Sequence, residues 1–346
     1  MALRTVYTLL IGILGGGVAT LVSLPMAWML GPLFAVLIAS LAGAKAGIDK
    51  RLHRCSIAML GLFIGNRIEL GELSHLLEWY PSVLAMLAYM GLMLAGGVWL
   101  FSTSGMGRLS AVFCSFPGSM NATVILAERL GVDIRWIAIT HAMRLVIVVA
   151  SAAFMASYLA GDIALGEGNG VSWAGVSLLV LAPASWWLGR LLRFPLPEFL
   201  GPMAVGVVLA TLGHGVVLPD LLLVATFLVL GSSVGARFAG TPWRRVVEVG
   251  RFGLLFGLYA VLMAVATAWL LATFTSHSFT AALLALLPGG VGEMAVIAVA
   301  LDVDPLYVVS HHVLRLLLLI LATPVVITLG RRFSSRPRMG KGHRHR

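Results

Sequence analysis

The chain has 346 residues, of which 60% are hydrophobic and only 11% charged, and its mean hydropathy is +0.99. A soluble surface needs roughly 25% charged residues, so a cytosolic enzyme, a disordered chain and a secreted disulfide scaffold are excluded. Apolar runs near or above about 18 residues recur from end to end, the length of helices that cross a bilayer; they do not alternate in hydrophobicity, which argues against an outer-membrane barrel.

In chain order the apolar segments are 5–22, 26–44, 55–68, 82–103, 109–127 and 136–158, then 173–192, 198–214, 220–236, 248–274, 279–300 and 307–329. The first, Thr5–Ser23, has one basic residue before it and lacks a clear small-x-small cleavage site before a polar mature start, and is expected to be a retained helix rather than a signal peptide. The segment 55–68 is short for a span, but 220–236, its counterpart, is more hydrophobic. Cys55 and Cys114 both lie in apolar stretches, where two buried thiols are expected and a bridge is not.

The two sets of six segments are related by duplication. Pro25 and Leu30-Gly31-Pro32 recur as Pro195 and Leu200-Gly201-Pro202, an offset of 170 that also relates Gly61, Gly65 and Arg67 to Gly231, Gly235 and Arg237. Pro117-Gly118 recurs as Pro288-Gly289 at an offset of 171, as do Leu130, Asp133, His141 and Arg144 in Leu301, Asp304, His312 and Arg315. Chance matches would not stay collinear over a whole half. The expected organisation is repeat 1 over 1–170, repeat 2 over 171–330 and a basic cytoplasmic tail over 331–346.

The fifth segment of each half is interrupted. The breaks read Phe116-Pro117-Gly118-Ser119-Met120-Asn121 and Leu287-Pro288-Gly289-Gly290-Val291-Gly292-Glu293. Each flanking piece is too short to cross alone, so the segment either crosses as a broken helix or enters and returns as a re-entrant hairpin. The loop charges favour the hairpin. With five full crossings per half and the N-terminus inside, 21 of the 24 Lys and Arg residues face the cytoplasm, and the Lys- and Arg-free loops 69–80 and 160–170 fall outside. An odd number of crossings inverts one half relative to the other. The expected fold is therefore an all-α polytopic membrane protein with two inverted-topology repeats, each of five transmembrane helices plus a Pro-Gly-broken hairpin. Inverted repeats with discontinuous helices mark secondary transporters.

The candidate substrate-binding residues follow from the breaks. Pro117, Gly118, Ser119 and Asn121 in one half, and Pro288, Gly289, Gly290 and Glu293 in the other, surround non-helical backbone that survives at membrane depth only beside protein or a wet cavity. The half-helix after each break offers free N–H groups and a positive dipole end; a structural kink is the alternative at each break. Glu293 is either a cap of its own helix or a proton or cation coupling site. His141 and Arg144, and likewise His312 and Arg315, lie three apart on one helix face. Each arginine needs a carbonyl, a carboxylate or an anionic substrate as partner. Capping the carbonyls of the broken helix and direct substrate contact are equally open. His311 points away from His312. No HExxH or CxxC occurs, so no metal and no cofactor are expected.

The segment 288–318, PGGVGEMAVIAVALDVDPLYVVSHHVLRLLL in the single-letter code from Pro288 onwards, resembles the repeat motif of the AbrB duplication membrane proteins of Gram-negative bacteria, and 117–148 resembles it more weakly. With the two Leu-Gly-Pro elements the resemblance covers nearly the whole chain. Ser119 and Ala122-Thr123 stand where the family pattern has Gly and Glu-Met. Family members carry the labels "AbrB family transcriptional regulator" and ammonia monooxygenase; the resemblance implies an inner-membrane protein and a role in regulation of gene expression. The residues themselves favour a non-enzymatic secondary transporter of a small, anionic or polar organic solute, proton- or cation-coupled. A membrane component in gene regulation is the alternative, and an ammonia monooxygenase-like oxidase a minor one. The expected partners are the small-molecule solute and the lipid bilayer. No nucleic acid contact is expected, because the loops are too short to read DNA, and self-association as a homo-oligomer is allowed.

The topology is testable by labelling single introduced cysteines from outside the cell. A probe within 160–170 should react and one within 238–246 should not; the reverse pattern overturns the inverted arrangement.

Overall fold

The computed structural model describes residues 2–68, 78–117, 120–160, 173–214, 219–301 and 303–334. The loops 69–77 and 161–172, the residues Gly118 and Ser119, the Asn121 side chain and the tail from 335 lie outside this description, together with the expectations placed on them.

Fourteen α-helices make up the described chain. The first half contributes α1 (Ala2–Leu21), α2 (Ala27–Leu41), α3 (Lys50–Asn66), α4 (Tyr80–Thr103), α5 (Arg108–Ser115), α6 (Met120–Arg129) and α7 (Ile134–Ala160). The second contributes α8 (Trp173–Leu191), α9 (Pro197–Thr211), α10 (Asp220–Gly235), α11 (Trp243–Phe274), α12 (Phe279–Leu286), α13 (Val291–Ala300) and α14 (Pro305–Ser334). Among the described residues six stretches are long and apolar enough to cross a membrane: Ala2–Leu21, Tyr80–Thr103, Ile134–Met155, Asp220–Phe238, Trp243–Phe274 and Pro305–Ala322. The molecule is an all-α, multi-spanning membrane protein. Large apolar side chains such as Leu3, Leu14, Leu21, Trp99, Leu262 and Phe274 are exposed along α1, α4 and α11, as expected of helices whose outer faces meet lipid rather than water.

Proline sets the breaks. Phe116 and Leu287 each precede a proline and are extended, with ψ of 125° and 132°, because the proline ring disfavours the helical conformation of the residue before it. Helices α5 and α12 therefore stop after eight residues each, and α6 and α13 restart with ten each. The pieces measure about 12 and 15 Å at ~1.5 Å per residue, well short of a hydrocarbon core of about 30 Å.

Backbone detail recurs between the halves. Ser23 and Met26 adopt left-handed conformations, φ 52° and 47°, and so do Arg193 and Leu196, φ 56° and 53°. Left-handed backbone is uncommon outside glycine, so its return at an offset of 170 is specific. Here it turns the chain sharply into α2 and α9, each of which carries an internal proline, Pro32 or Pro202.

Close helix contacts run between the halves. α3 lies against α9, and α10 against α2. A Cβ at Gly61 would strike the Phe199 carbonyl, and one at Gly65 the Met203 carbonyl; at Gly231 it would strike the Met29 carbonyl, and at Gly235 the Leu33 carbonyl. Every residue of the first pair of contacts has its counterpart in the second at an offset of 170. Where both surfaces are apolar, helices in a membrane associate through close backbone approach, which small residues permit. Tyr89 of α4 donates its hydroxyl to the Ala260 carbonyl of α11 at 3.1 Å. Those two positions are themselves 171 apart, so equivalent points of the two halves meet there.

The close approaches predict a graded stability effect. Gly65→Ala should destabilise the detergent-solubilised protein by about 1–3 kcal/mol, the range for overpacking a filled site. Gly17→Ala, at a helical glycine with open space around it, should be neutral or stabilising by up to about 1 kcal/mol. Thermal unfolding of the two variants side by side checks this.

Candidate functional site

Each break leaves backbone carbonyls at the end of a short helix, without the N–H partners that a continuing helix would supply. The next helix supplies them. From α7, His141 Nε2 donates to the Phe113 carbonyl at 3.0 Å and Arg144 Nη1 to the Phe116 carbonyl at 2.9 Å. From α14, His312 Nε2 donates to the Leu284 carbonyl at 2.9 Å and Arg315 Nη1 to the Leu287 carbonyl at 3.0 Å. All four bonds join residues 28 apart. The carbonyl-capping role of the arginines, one of two open in the sequence, is thus realised in both halves. These four side chains are buried, the arginines 5% and 6% exposed.

Arg315 Nη2 also donates to the Gly289 carbonyl at 2.9 Å and to His312 Nδ1 at 2.8 Å. An imidazole that donates at Nε2 and accepts at Nδ1 is the neutral tautomer, so Arg315 and His312 form one fixed unit bearing a single charge. In the first half, His141 Nδ1 has no hydrogen-bond partner among the described residues.

A cavity of about 190 Å³ lies between the breaks. It is lined by Pro117, His141 and Arg144 from the first half and by Pro288, Gly289, Gly290, Glu293, His312 and Arg315 from the second. These nine candidates therefore face one space. Gly118, Ser119 and the Asn121 side chain fall outside the described residues. Glu293 is the third residue of α13 and 5% exposed. Its carboxylate folds back over Gly290, where a Cβ would collide with it, and the positive end of α13 favours a negative charge there. It has no hydrogen-bond or ion-pair partner among the described residues. His311 lies apart: its Nδ1 donates to the Tyr307 carbonyl, Ser82 Oγ sits 2.8 Å from its Nε2, and Trp79 and Tyr307 flank the ring.

The cavity also contains residues the sequence did not single out for a site. His53 from α3 and Glu198 from α9 line it, with Arg237 from the 3₁₀ turn Ala236–Phe238. Arg237 belongs to a repeated motif, which was a usable signal. Glu198 stands where the first half has Trp28, an asymmetry visible only after the halves are aligned. His53 carries no sequence signal of its own. The cysteines are free, with Cys114 buried. Among the described residues no group of three or more His, Cys, Asp or Glu side chains could hold a metal ion.

The bonding pattern separates two kinds of substitution. Arg315→Ala should lower folded yield and stability by at least about 3 kcal/mol, since it leaves two buried carbonyls and a histidine nitrogen unbonded, each orphaned group costing about 1–3 kcal/mol. Glu293→Gln, which breaks no hydrogen bond, should cost no more than the roughly 0.3–1 kcal/mol of its dipole interaction. Thermal unfolding of the purified variants measures both.

Comparison with known proteins places the chain in a family. The family model described as "Transition state regulatory protein AbrB" matches residues 28–330. "Putative regulator AbrB" of Escherichia coli (strain K12) is 30% identical over 315 residues, covering 88% of this chain and 90% of its own length. "Uncharacterized protein YhjN" of Bacillus subtilis (strain 168) is 26% identical over 360 residues, covering 93% of this chain and 92% of its own. No solved structure matches the chain. Neither the family description nor the relatives' names are those of an enzyme. With apolar helices throughout and a family match over most of its length, the chain is a multi-spanning inner-membrane member of the AbrB family.

Proposed function

We propose that the chain is a membrane-embedded component in the regulation of gene expression. The observation that carries this reading is the end-to-end similarity to a relative named as a regulator, at 30% identity over 88% of the chain. The helices leave no DNA-reading module among the described residues, so regulation passes through a partner on the cytoplasmic side. Deleting the gene should change the transcript levels of a defined set of genes, and the wild-type chain should restore them. An unchanged profile overturns the reading.

A second reading, secondary transport of a small anionic or polar organic solute, is favoured by one specific observation: a cavity between two helix breaks, lined by charged residues from both halves. The finer topology belongs to it: ten crossings and two re-entrant hairpins in mutually inverted halves, with both termini in the cytoplasm. Supporting it are the reciprocal glycine contacts between α3 and α9 and between α10 and α2, the Tyr89–Ala260 contact between equivalent positions, and the one-sided distribution of basic residues. The readings are compatible where a solute held in the cavity controls the partner. Uptake by the purified chain in liposomes separates them. Under the transport reading Glu293→Gln should abolish uptake or its pH dependence while the protein stays folded. Normal, pH-dependent uptake by that variant would reduce Glu293 to a helix cap.

A further inference from the structure

We propose that His311 is a proton-binding site, which takes up a proton within a bridge of hydrogen bonds joining α4 of the first half to α14 of the second. The inference goes beyond both readings above and does not depend on what the cavity holds.

The geometry allows the ring two protonation states. His311 is buried, as are Trp79, Ser82 and Tyr307 around it. Its Nδ1 lies 2.8 Å from the Tyr307 carbonyl oxygen. A carbonyl only accepts, so Nδ1 carries a hydrogen. On the other side of the ring, Nε2 lies 2.8 Å from Ser82 Oγ, and that oxygen lies 2.8 Å from the Trp79 carbonyl. The serine hydroxyl has a single hydrogen to give. If it goes to Trp79, Nε2 must donate to Oγ, and the ring is an imidazolium with both nitrogens protonated. If it goes to Nε2, the ring is neutral and the Trp79 carbonyl loses this donor. Both states fit one set of heavy-atom positions. A proton enters by the turning of one hydroxyl, and the chain of bonds from Tyr307 to Trp79 is complete only when the ring is protonated.

The surroundings suit a cation. A charge taken out of water is costly unless nearby groups offset it. The rings of Trp79 and Tyr307 lie 6.0 and 4.3 Å from that of His311, centre to centre, and aromatic faces attract a cation within about 6 Å. The titratable groups around His311 are Asp304, Tyr307 and His312 of its own helix and His277 from the turn before α12, with Glu78 facing His277. Asp304 is held at the start of α14 by the backbone N–H groups of Leu306 and Tyr307. His312 is committed to the Leu284 carbonyl and to Arg315.

The scaffold does not require the pair. At the offset of 171, Ser82 and His311 correspond to Gly253 and Thr140. A Cβ at Gly253 would lie 3.6 Å from the Thr140 Cα, so the same approach of helices is made there. Tyr307 and His277 correspond to Trp136 and Met106. One end of the molecule closes this contact without a titratable group, and the other places a histidine and a hydroxyl in it. Under the topology proposed above, Trp79, the turn 275–278 and the start of α14 all lie on the outer side. The half-buried His277, its ring 4.7 Å from that of Tyr307, leads from the surface toward His311.

The test is a pH titration of tryptophan fluorescence on the purified full-length chain in detergent, because an imidazolium beside an indole quenches its emission. Wild type should show a reversible loss of emission on acidification between about pH 8 and 4, around the ordinary histidine range. The transition should be missing in His311→Gln and in Trp79→Phe and kept in His277→Gln. In Ser82→Ala its midpoint should fall by roughly one pH unit, a tenfold loss of proton affinity, because a charged donor loses a stronger bond than a neutral one. No transition in the wild type, its persistence in His311→Gln or Trp79→Phe, its loss in His277→Gln, or an unmoved midpoint in Ser82→Ala overturns the proposal. Should His311→Gln not fold, Trp79→Phe and the Ser82→Ala midpoint decide.

Discussion

Everything else in this molecule depends on how it satisfies the carbonyls at its two helix breaks. A helix interrupted by proline inside an apolar layer exposes backbone oxygens that no water can reach, and each orphaned oxygen costs a few kcal/mol. The chain meets that cost with one device used twice: a histidine and an arginine, three residues apart on the following helix, each donating back across 28 residues. The device dictates the local architecture. α7 must pack on α5, and α14 on α12, at a register set by those bonds. Two arginines are thereby carried into the centre of the protein, and the cavity between them inherits their charge.

The scaffold is symmetric while the chemistry is not. The left-handed turns into α2 and α9, the glycine approaches and the histidine–arginine pairs all repeat. The groups able to respond to a solute or a proton do not. Glu293 stands opposite Ala122, Glu198 opposite Trp28 and His53 opposite Leu223. Arg315 holds His312 and two carbonyls, whereas His141 Nδ1 lacks a hydrogen-bond partner among the described residues. Duplication supplied a self-complementary frame, and divergence placed two acids on one side of it. Such a site distinguishes its two ends, as a directional or signalling function requires.

How much of this was legible in the sequence follows from the range of each interaction. The segments, their pairing at offsets of 170 and 171, and the breaks were readable because proline, glycine and long apolar runs act locally. The pairs His141/Arg144 and His312/Arg315 stood out because buried charge in an apolar run is rare. Their partners were not readable: capping a carbonyl and binding a solute place the same demand on a guanidinium, and only the positions of the Phe116 and Leu287 oxygens decide between them. His53 and Glu198 escaped notice for a different reason. Each is an ordinary residue near a helix start, and it reaches the cavity through packing of α3 against α9 that no local pattern encodes.

The carbonyl bonds also limit what the arginines can do for a ligand. Arg315 spends three hydrogen bonds on the Leu287 and Gly289 carbonyls and on His312. A solute that pulled it away would expose those groups again, at a cost exceeding the roughly 1.5–3 kcal/mol of one hydrogen bond to a charged group. The arginine is therefore fixed in place by the break it caps, with its donors already aimed at the backbone and at His312.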